Sequence, residues 1–110
     1  MLALEGYRLI DLSRLLPGPV ASWMLADMGM EVIKVEELSS RAGMGRDSFT
    51  PADPTPDQEI RASAFNTVAR NKKSVAVDLR QPKGLEIFYR LVETADVILE
   101  GYRPGVSKRL

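Results

Sequence analysis

The sequence predicts an α/β fold, a parallel β-sheet layered by helices, from three observations. Four short apolar runs carry no inner Gly or Pro, and most lack strict polar alternation, as strands covered on both faces do. Two proline-opened helical segments lie between successive runs. The resulting order is two βαβ units, and such crossovers are almost always right-handed, which makes the paired strands parallel.

The strands are expected at Tyr7 to Leu12, Glu31 to Glu36, Ser74 to Leu79 and Asp96 to Glu100. Between the first pair, Pro19 to Met28 reads as a helix with Val20, Met24 and Met28 at i, i+4 and i+8 and Leu25 beside them; Gly29 stops it. Trp23, Met24, Met28 and Met30 read as packing residues. Between the last pair, Pro82 opens a helix whose stripe is Leu85, Phe88, Leu91, Val92 and Ala95. Its opposite side carries Lys83, Glu86, Arg90 and Glu93, with Glu86 and Arg90 spaced for an i,i+4 ion pair.

Composition narrows the chemistry. At 110 residues the chain is one small domain. Fifteen Lys plus Arg balance fifteen Asp plus Glu, so nothing favours bulk binding to nucleic acid or to an acidic membrane. With no Cys and no His, disulfides, thiolates, Cys-ligated metal and the commonest general base are excluded, and no metal is expected. What remains is carboxylate, hydroxyl, Lys, Arg and backbone. The amino terminus lacks a basic leader, and no apolar run reaches membrane-spanning length, so the expectation is a cytoplasmic protein.

Residues 37 to 66, about thirty in all, are too long for an ordinary connector and are expected to form a long mobile loop. Ser39 to Arg46 and Pro51 to Gln58 carry its turn-forming character, whereas Ile60 to Val68 has enough apolar residues for a short helix or strand. A lid, a subunit contact and a plain surface loop all fit that composition.

The most informative stretch is Asp96 to Leu110. A buried-strand pattern runs into Gly101, Tyr102, Arg103, Pro104 and Gly105, a turn with a cation and an aromatic ring at its tip. Ligands of open α/β sheets sit beyond the carboxyl ends of the strands, where this turn is expected. The sequence stops as a new helix would begin, and one turn cannot sustain itself, so the chain is expected to be a fragment. A bare sheet edge would then favour self-association.

The strand, turn and helix at the amino terminus invite a dinucleotide reading, with Glu36 near the place of a ribose-binding acid. The glycine fingerprint is missing: Ser13-Arg14-Leu15-Leu16-Pro17-Gly18-Pro19 follows the first strand. Phosphate, if bound, needs cations instead. Arg70, Lys72 and Lys73 precede the third strand, Arg80 follows it, and Arg103 and Arg109 follow the fourth. Arg80, Tyr102 and Arg103 are expected to flank adjacent strand ends, guanidinium forks for phosphate beside a flat ring for adenine. By residue type alone, Lys72 and Lys73 read as a solvated approach to a strand and Arg109 as a surface residue. Asp11, Glu36, Asp78 and Glu100 lie near strand ends without an evident activating partner, and read as turn caps or ion-pair partners rather than catalytic groups.

With these residues placed, the chain resembles the amino-terminal region of the family III CoA-transferases, which include formyl-CoA and carnitine CoA-transferases and the related α-methylacyl-CoA racemases. Four blocks in series carry the resemblance: Leu4 to Arg14 (LEGYRLIDLSR), Pro17 to Glu36 (PGPVASWMLADMGMEVIKVE), Asn71 to Pro82 (NKKSVAVDLRQP) and Ala95 to Leu110 (ADVILEGYRPGVSKRL).

The resemblance implies a Rossmann-like domain that binds coenzyme A as substrate, part of a larger enzyme of acyl-CoA metabolism that is an interlocked homodimer acting on acyl-CoA and carboxylic acids. By position, Leu15 and Leu16 would line the pocket; Val77, Asp78, Leu79 and Arg80 would form the strand-end contact. Gly101, Tyr102 and Arg103 would make the adenine and phosphate loop, and Arg109 would contact phosphate. The Gly101-Tyr102 form is closer to the racemase-like branch. Two departures stand out. Glu37 occupies a place where the family often carries Arg, with Arg41 or Arg46 as substitutes, and the family's catalytic aspartate has no counterpart within residues 1 to 110. A stand-alone βαβ module that binds a nucleotide or a protein is the rival reading.

Overall fold

The computed structural model describes residues 1 to 14, 16 to 36, 55 to 58, 60 and 67 to 109. Strand β1 (Arg8–Asp11) is the spine: Leu9, Ile10 and Asp11 are essentially inaccessible to solvent. Helix α1 (Pro17–Asp27) follows, then β2 (Glu31–Glu36), β3 (Lys72–Ala76), helix α2 (Pro82–Val92) and β4 (Val97–Leu99). A short 3-10 turn, Thr67–Ala69, precedes β3. Most of the predicted 37 to 66 loop lies outside the described residues. Within it, Thr55 and Gln58 cap each other reciprocally, the Thr55 N–H donating to Gln58 Oε1 and the Gln58 N–H to Thr55 Oγ1.

All four strands are parallel, in the order β3-β2-β1-β4. This is an α/β sheet of the expected class. The order corrects one expectation: β3 and β4 are not neighbours but opposite edges, with β2 and β1 between them. The connection through α2 therefore carries the chain across the whole sheet. Because the β1-α1-β2 and β3-α2-β4 crossovers run in opposite directions along the sheet, right-handedness places α1 and α2 on opposite faces.

Register explains the core. Leu9 pairs with Val32 and Val97, so these side chains share one face. Leu9, Val32, Ala26 and Met30 pack together under α1, with Leu4, Leu25 and Leu99 against them. Ile10 points to the other face and is fully buried. On α2, Leu85, Phe88, Leu91 and Val92 are half-buried, as the predicted stripe requires, and Arg90 donates to Glu86 at 2.7 Å on the solvent side.

Three sequence expectations shift. Helix α1 begins at Pro17 rather than Pro19, with two prolines in its first turn. Its buried face is Pro19, Ser22 and Ala26, not the methionine stripe: Met24 and Met28 are 53% and 46% exposed. Small residues face the sheet because the helix approaches closely; a Cβ on Gly18 would stand 2.1 Å from the Ser13 Cβ. Strand β3 starts at Lys72, two residues before the prediction, although the Val77 N–H still bonds Glu36 O at 2.8 Å, continuing the ladder. Its exposed Lys73 and Ser74 obscured an edge strand, which needs one covered face only. No described helix is long and apolar enough to cross a membrane.

Gly84, in the first turn of α2, is the tightest seam on the crossover, since an added Cβ would lie 2.1 Å from the carbonyl oxygen of Asp78. We expect Gly84→Ala to destabilise the protein by about 1 to 3 kcal/mol as overpacking against rigid backbone. Urea unfolding followed by circular dichroism checks this, and an unchanged midpoint would refute the seam.

Candidate functional site

The strand order defines where a ligand can sit. From β1 the chain departs through α1 toward β2 and returns through α2 to β4 on β1's other side, so the topological switch point falls between β1 and β4. Two loops wall this crevice. One follows β1 and runs through Ser13, Arg14 and Leu16; the other follows β4 and runs through Glu100, Gly101, Tyr102 and Arg103. They begin side by side, Asp11 in register with Leu99 and the Leu12 N–H donating to Leu99 O at 2.8 Å.

Beneath the first loop lies a buried polar cluster. Asp11, Ser13 and Ser22 are at most 1% exposed. Asp11 Oδ1 accepts from the Ser13 N–H at 2.8 Å and from the Ser13 hydroxyl, and Oδ2 accepts from the Ser22 hydroxyl at 2.5 Å. Two lysines close the set: Lys34 Nζ lies 3.7 Å from Oδ1 and Lys72 Nζ 3.6 Å from Oδ2. Each ammonium also donates to a backbone carbonyl, Lys34 to Ser13 and Lys72 to Pro19. Burial alone would raise the Asp11 carboxyl; the hydroxyls of Ser13 and Ser22, the Lys34 charge and the Ser13 N–H outweigh it and hold Asp11 below the usual carboxylate range. Burial lowers both lysines, against the pull of Asp11.

The first turn of α1 is poorly suited to hold phosphate. A helix normally offers about four free N–H groups at its start. Here Pro17 and Pro19 remove two of them and leave those of Leu16 and Gly18, before the Val20 N–H makes the first bond within the helix, to Leu16 O at 3.0 Å. No side chain caps this end.

The predicted contact residues divide among three places. Leu16 stands 61% exposed at the crevice; Leu15 lies outside the described residues. Gly101 is open, the half-buried Tyr102 donates its N–H to Glu100 Oε2 at 2.6 Å, and Arg103 is exposed. The Val77 to Arg80 segment sits at the far edge, after β3. There Val77 is buried, Leu79 is half-buried, and Asp78 accepts from the Arg80 N–H and Nε, both at 3.0 Å, so Arg80 holds the Asp78 carboxyl low. Arg109 is exposed in the turn that follows, its N–H bonded to Val106 O. Arg80 and Arg103 are thus separated by three strand spacings, roughly 14 Å at about 4.8 Å each. Only an extended ligand could touch both.

The strand-end carboxylates have structural partners. Asp11 carries the cluster above, Glu36 accepts from the Ser74 hydroxyl at 2.9 Å, Asp78 holds Arg80 and Glu100 holds the Tyr102 N–H. Among the described residues no group of three or more His, Cys, Asp or Glu could hold a metal. A shallow depression lined by Gly6, Tyr7, Arg8, Glu31, Thr94 and Asp96 lies at the amino ends of the strands, the end that open α/β sheets do not use for ligands. Nearby, Arg70 is spent on structure. Its guanidinium bonds Asp27 at 2.5 Å and covers the Trp23 ring at 4.6 Å, while Asn71, at φ 60°, donates to the same carboxylate. The buried Trp23 Nε1 has no hydrogen-bond partner of ordinary geometry, though it lies near enough to Asp27 to lower that carboxyl slightly further, after Arg70 and Asn71.

Fold and sequence together define an open α/β domain of Rossmann-like strand order that lacks the glycine fingerprint of dinucleotide enzymes. The sequence profile of CoA-transferase family III matches residues 4 to 110. The chain belongs to CoA-transferase family III. It is 44% identical over 102 residues to human (Homo sapiens) succinyl-CoA:glutarate CoA-transferase, covering 93% of this chain and 22% of that protein. It is 39% identical over 107 residues to a probable fatty acyl-CoA transferase of Mycobacterium tuberculosis, covering 97% and 26%. A crystal structure of a hypothetical protein from Mycobacterium tuberculosis superposes with a TM-score of 0.78 at 37% identity, covering 99% of this chain and 28% of that one. A CAIB/BAIF family protein from Brucella suis gives 0.74 at 28% identity, covering 98% and 28%. The chain spans about a quarter of the length of these relatives.

The cluster residue that matters most for stability is Asp11. Replacing it with Asn leaves two buried ammonium groups without their counter-charge, and we expect a loss of about 3 to 5 kcal/mol. Because the folded Asp11 pKa is depressed, its contribution is present above the unfolded value of about 3.9 and disappears as pH falls through the lower folded value. Unfolding free energies measured from pH 7 down to pH 2 should therefore converge for parent and Asp11→Asn at the acid end; a constant gap would refute the assignment.

Proposed function

We propose that residues 1 to 110 form the coenzyme A-binding amino-terminal part of an enzyme that moves CoA between carboxylic acids. The observation that carries this reading is the strand order. It sets the 13 to 16 loop against the 101 to 103 loop at the switch point and puts Arg80 at the far edge, a layout suited to a long, jointed, anionic ligand rather than a compact one. Coenzyme A has that form, with an adenine, three phosphate groups and an extended pantetheine arm. In this reading Tyr102 stacks on the adenine, Arg103 and Arg109 meet phosphates near the switch point, and Leu15 and Leu16 line the path of the arm. Val77 to Arg80 make the contact at the other edge.

The α1 amino end bears on how the phosphates would be held. Pro17 and Pro19 take away N–H groups on which a pyrophosphate would rest, so the phosphates depend on guanidinium groups. Identity of 44% to a succinyl-CoA:glutarate CoA-transferase supports transfer over racemisation, even with the Gly101-Tyr102 form. The aspartate that carries the acyl group, and the segments that interlock two subunits, belong in this proposal to parts of the protein outside residues 1 to 110.

Titration calorimetry of the full protein with CoA, ADP and NAD tests the reading. We expect CoA to bind most tightly and Arg103→Ala to weaken it by about 1.5 to 3 kcal/mol, the loss of a charged hydrogen bond. Equal or tighter binding of NAD, or an Arg103→Ala protein that binds CoA as the parent does, would overturn it.

A further inference from the structure

The buried cluster holds more positive charge than its own stability requires. One fully buried carboxylate, Asp11, faces two ammonium groups, Lys34 and Lys72, with side chains 21% and 4% exposed, and the half-buried Glu36 adds a weaker pull on Lys34 from the end of β2. A single lysine would neutralise Asp11, and an additional buried cation carries a desolvation cost that its attraction to an already paired carboxylate does not clearly offset. What the second lysine does is visible in its other contact. Lys34 Nζ donates to the Ser13 carbonyl, while Asp11 takes the Ser13 N–H and hydroxyl. All the polar groups of this residue are thus fixed from below, by β1 and β2. The Ser13 side chain is in turn wedged against Gly18, where no Cβ fits.

We propose that Lys34, acting with Asp11 through Ser13, is a positioning residue that holds the start of the loop after β1, Ser13 and Arg14, in its ligand-ready form before the ligand arrives. A loop wall that need not be ordered on binding loses less conformational entropy when the ligand arrives, and affinity rises accordingly. The inference rests on the reading of the crevice as the CoA site, yet its structural half stands independently: the clamp sets the loop's order whatever the ligand is. It also makes a claim that a merely structural role would not. Removing Lys34 leaves Asp11 neutralised by Lys72 and hydrogen-bonded by Ser13 and Ser22, so the fold keeps its stability while the Ser13 carbonyl is released.

Lys34→Met in the full protein, with its similar apolar stem, separates the two. Three measurements are needed: thermal midpoint, amide hydrogen exchange across residues 9 to 16, and CoA affinity by calorimetry. We expect an unchanged midpoint, exchange at Ser13 and Arg14 at least about tenfold faster relative to Leu9 and Ile10, and a Kd for CoA raised about tenfold, partly restored in Lys34→Arg. Arg70→Ala, which loosens a tether at the opposite end of the sheet, should leave both loop exchange and Kd as in the parent. Lys34→Gln serves in place of Lys34→Met if the latter does not fold. Unchanged loop exchange overturns the clamp, and faster exchange with unchanged Kd overturns its role in binding. A parent protein that does not bind CoA at all overturns the functional reading instead, and the exchange ratio still decides the clamp.

Discussion

One buried carboxylate organises this domain. Asp11 ends the central strand inside the sheet, where an ionised group is costly unless its lone pairs and charge are met. They are met from all sides: by Ser13 on the outgoing loop, Ser22 on α1, Lys34 on β2 and Lys72 on β3. Four elements are joined at one residue. This explains why α1 turns Ser22 and Ala26 rather than its methionines to the sheet, since a helix carrying Met24 inward would stand too far off for the Ser22 hydroxyl to reach Asp11. It also fixes the loop after β1, because Ser13 is part of the same network.

The consequence for ligand binding is a division of labour between the two walls of the crevice. Ser13, at the start of the loop after β1, is tied down by buried, charge-assisted hydrogen bonds to Asp11 and Lys34, the strongest class available in a chain without metal-binding Cys or His. The 101 to 103 loop is held at the surface instead: the Tyr102 N–H donates to Glu100 Oε2, the Arg103 carbonyl accepts from the Val106 N–H at 3.1 Å, and Gly105 at φ 87° turns the chain beyond it. One wall of the crevice is thus anchored in the core and the other at the surface.

The sequence made the fold class legible because the signals were local: β-branched runs, prolines at helix starts and Gly29 after α1. Strand β2 fell at its predicted limits. Strand order was less accessible, since both βαβ units look alike in one dimension and nothing local says whether β4 adds beside β3 or crosses to β1. The same ambiguity made Arg80 and Arg103 seem neighbours. Within the site, the Gly-Tyr-Arg-Pro-Gly turn announced itself by composition, whereas the Asp11 cluster did not. Its members are single polar residues at positions 11, 13, 22, 34 and 72, of which Asp11 reads as a cap or ion-pair partner, Lys72 as a solvated charge and the rest carry no signal of a cluster. A usable signal was present all the same: Lys34 falls between Ile33 and Val35 in the interior of the strand, where a charge needs a partner.

That lysine bears on how a sheet of this kind can bind phosphate-bearing ligands at all. Dinucleotide enzymes use glycines to bring backbone N–H groups to the pyrophosphate, so the helix end itself is the receptor. Here prolines occupy the first turn, and the only glycine in it, Gly18, serves to admit Ser13 rather than a ligand. Of the first turn only Pro19 is buried, and its two prolines leave few N–H groups for an anion. In the coenzyme A reading, anion recognition falls to side chains on the strand-end loops, which are long and lose entropy when held. Such a site gains from any device that orders its backbone in advance. The buried clamp on Ser13 is that device, and it explains why a costly second cation sits beneath the crevice: the charge that burdens the core is what holds the wall of the site in place.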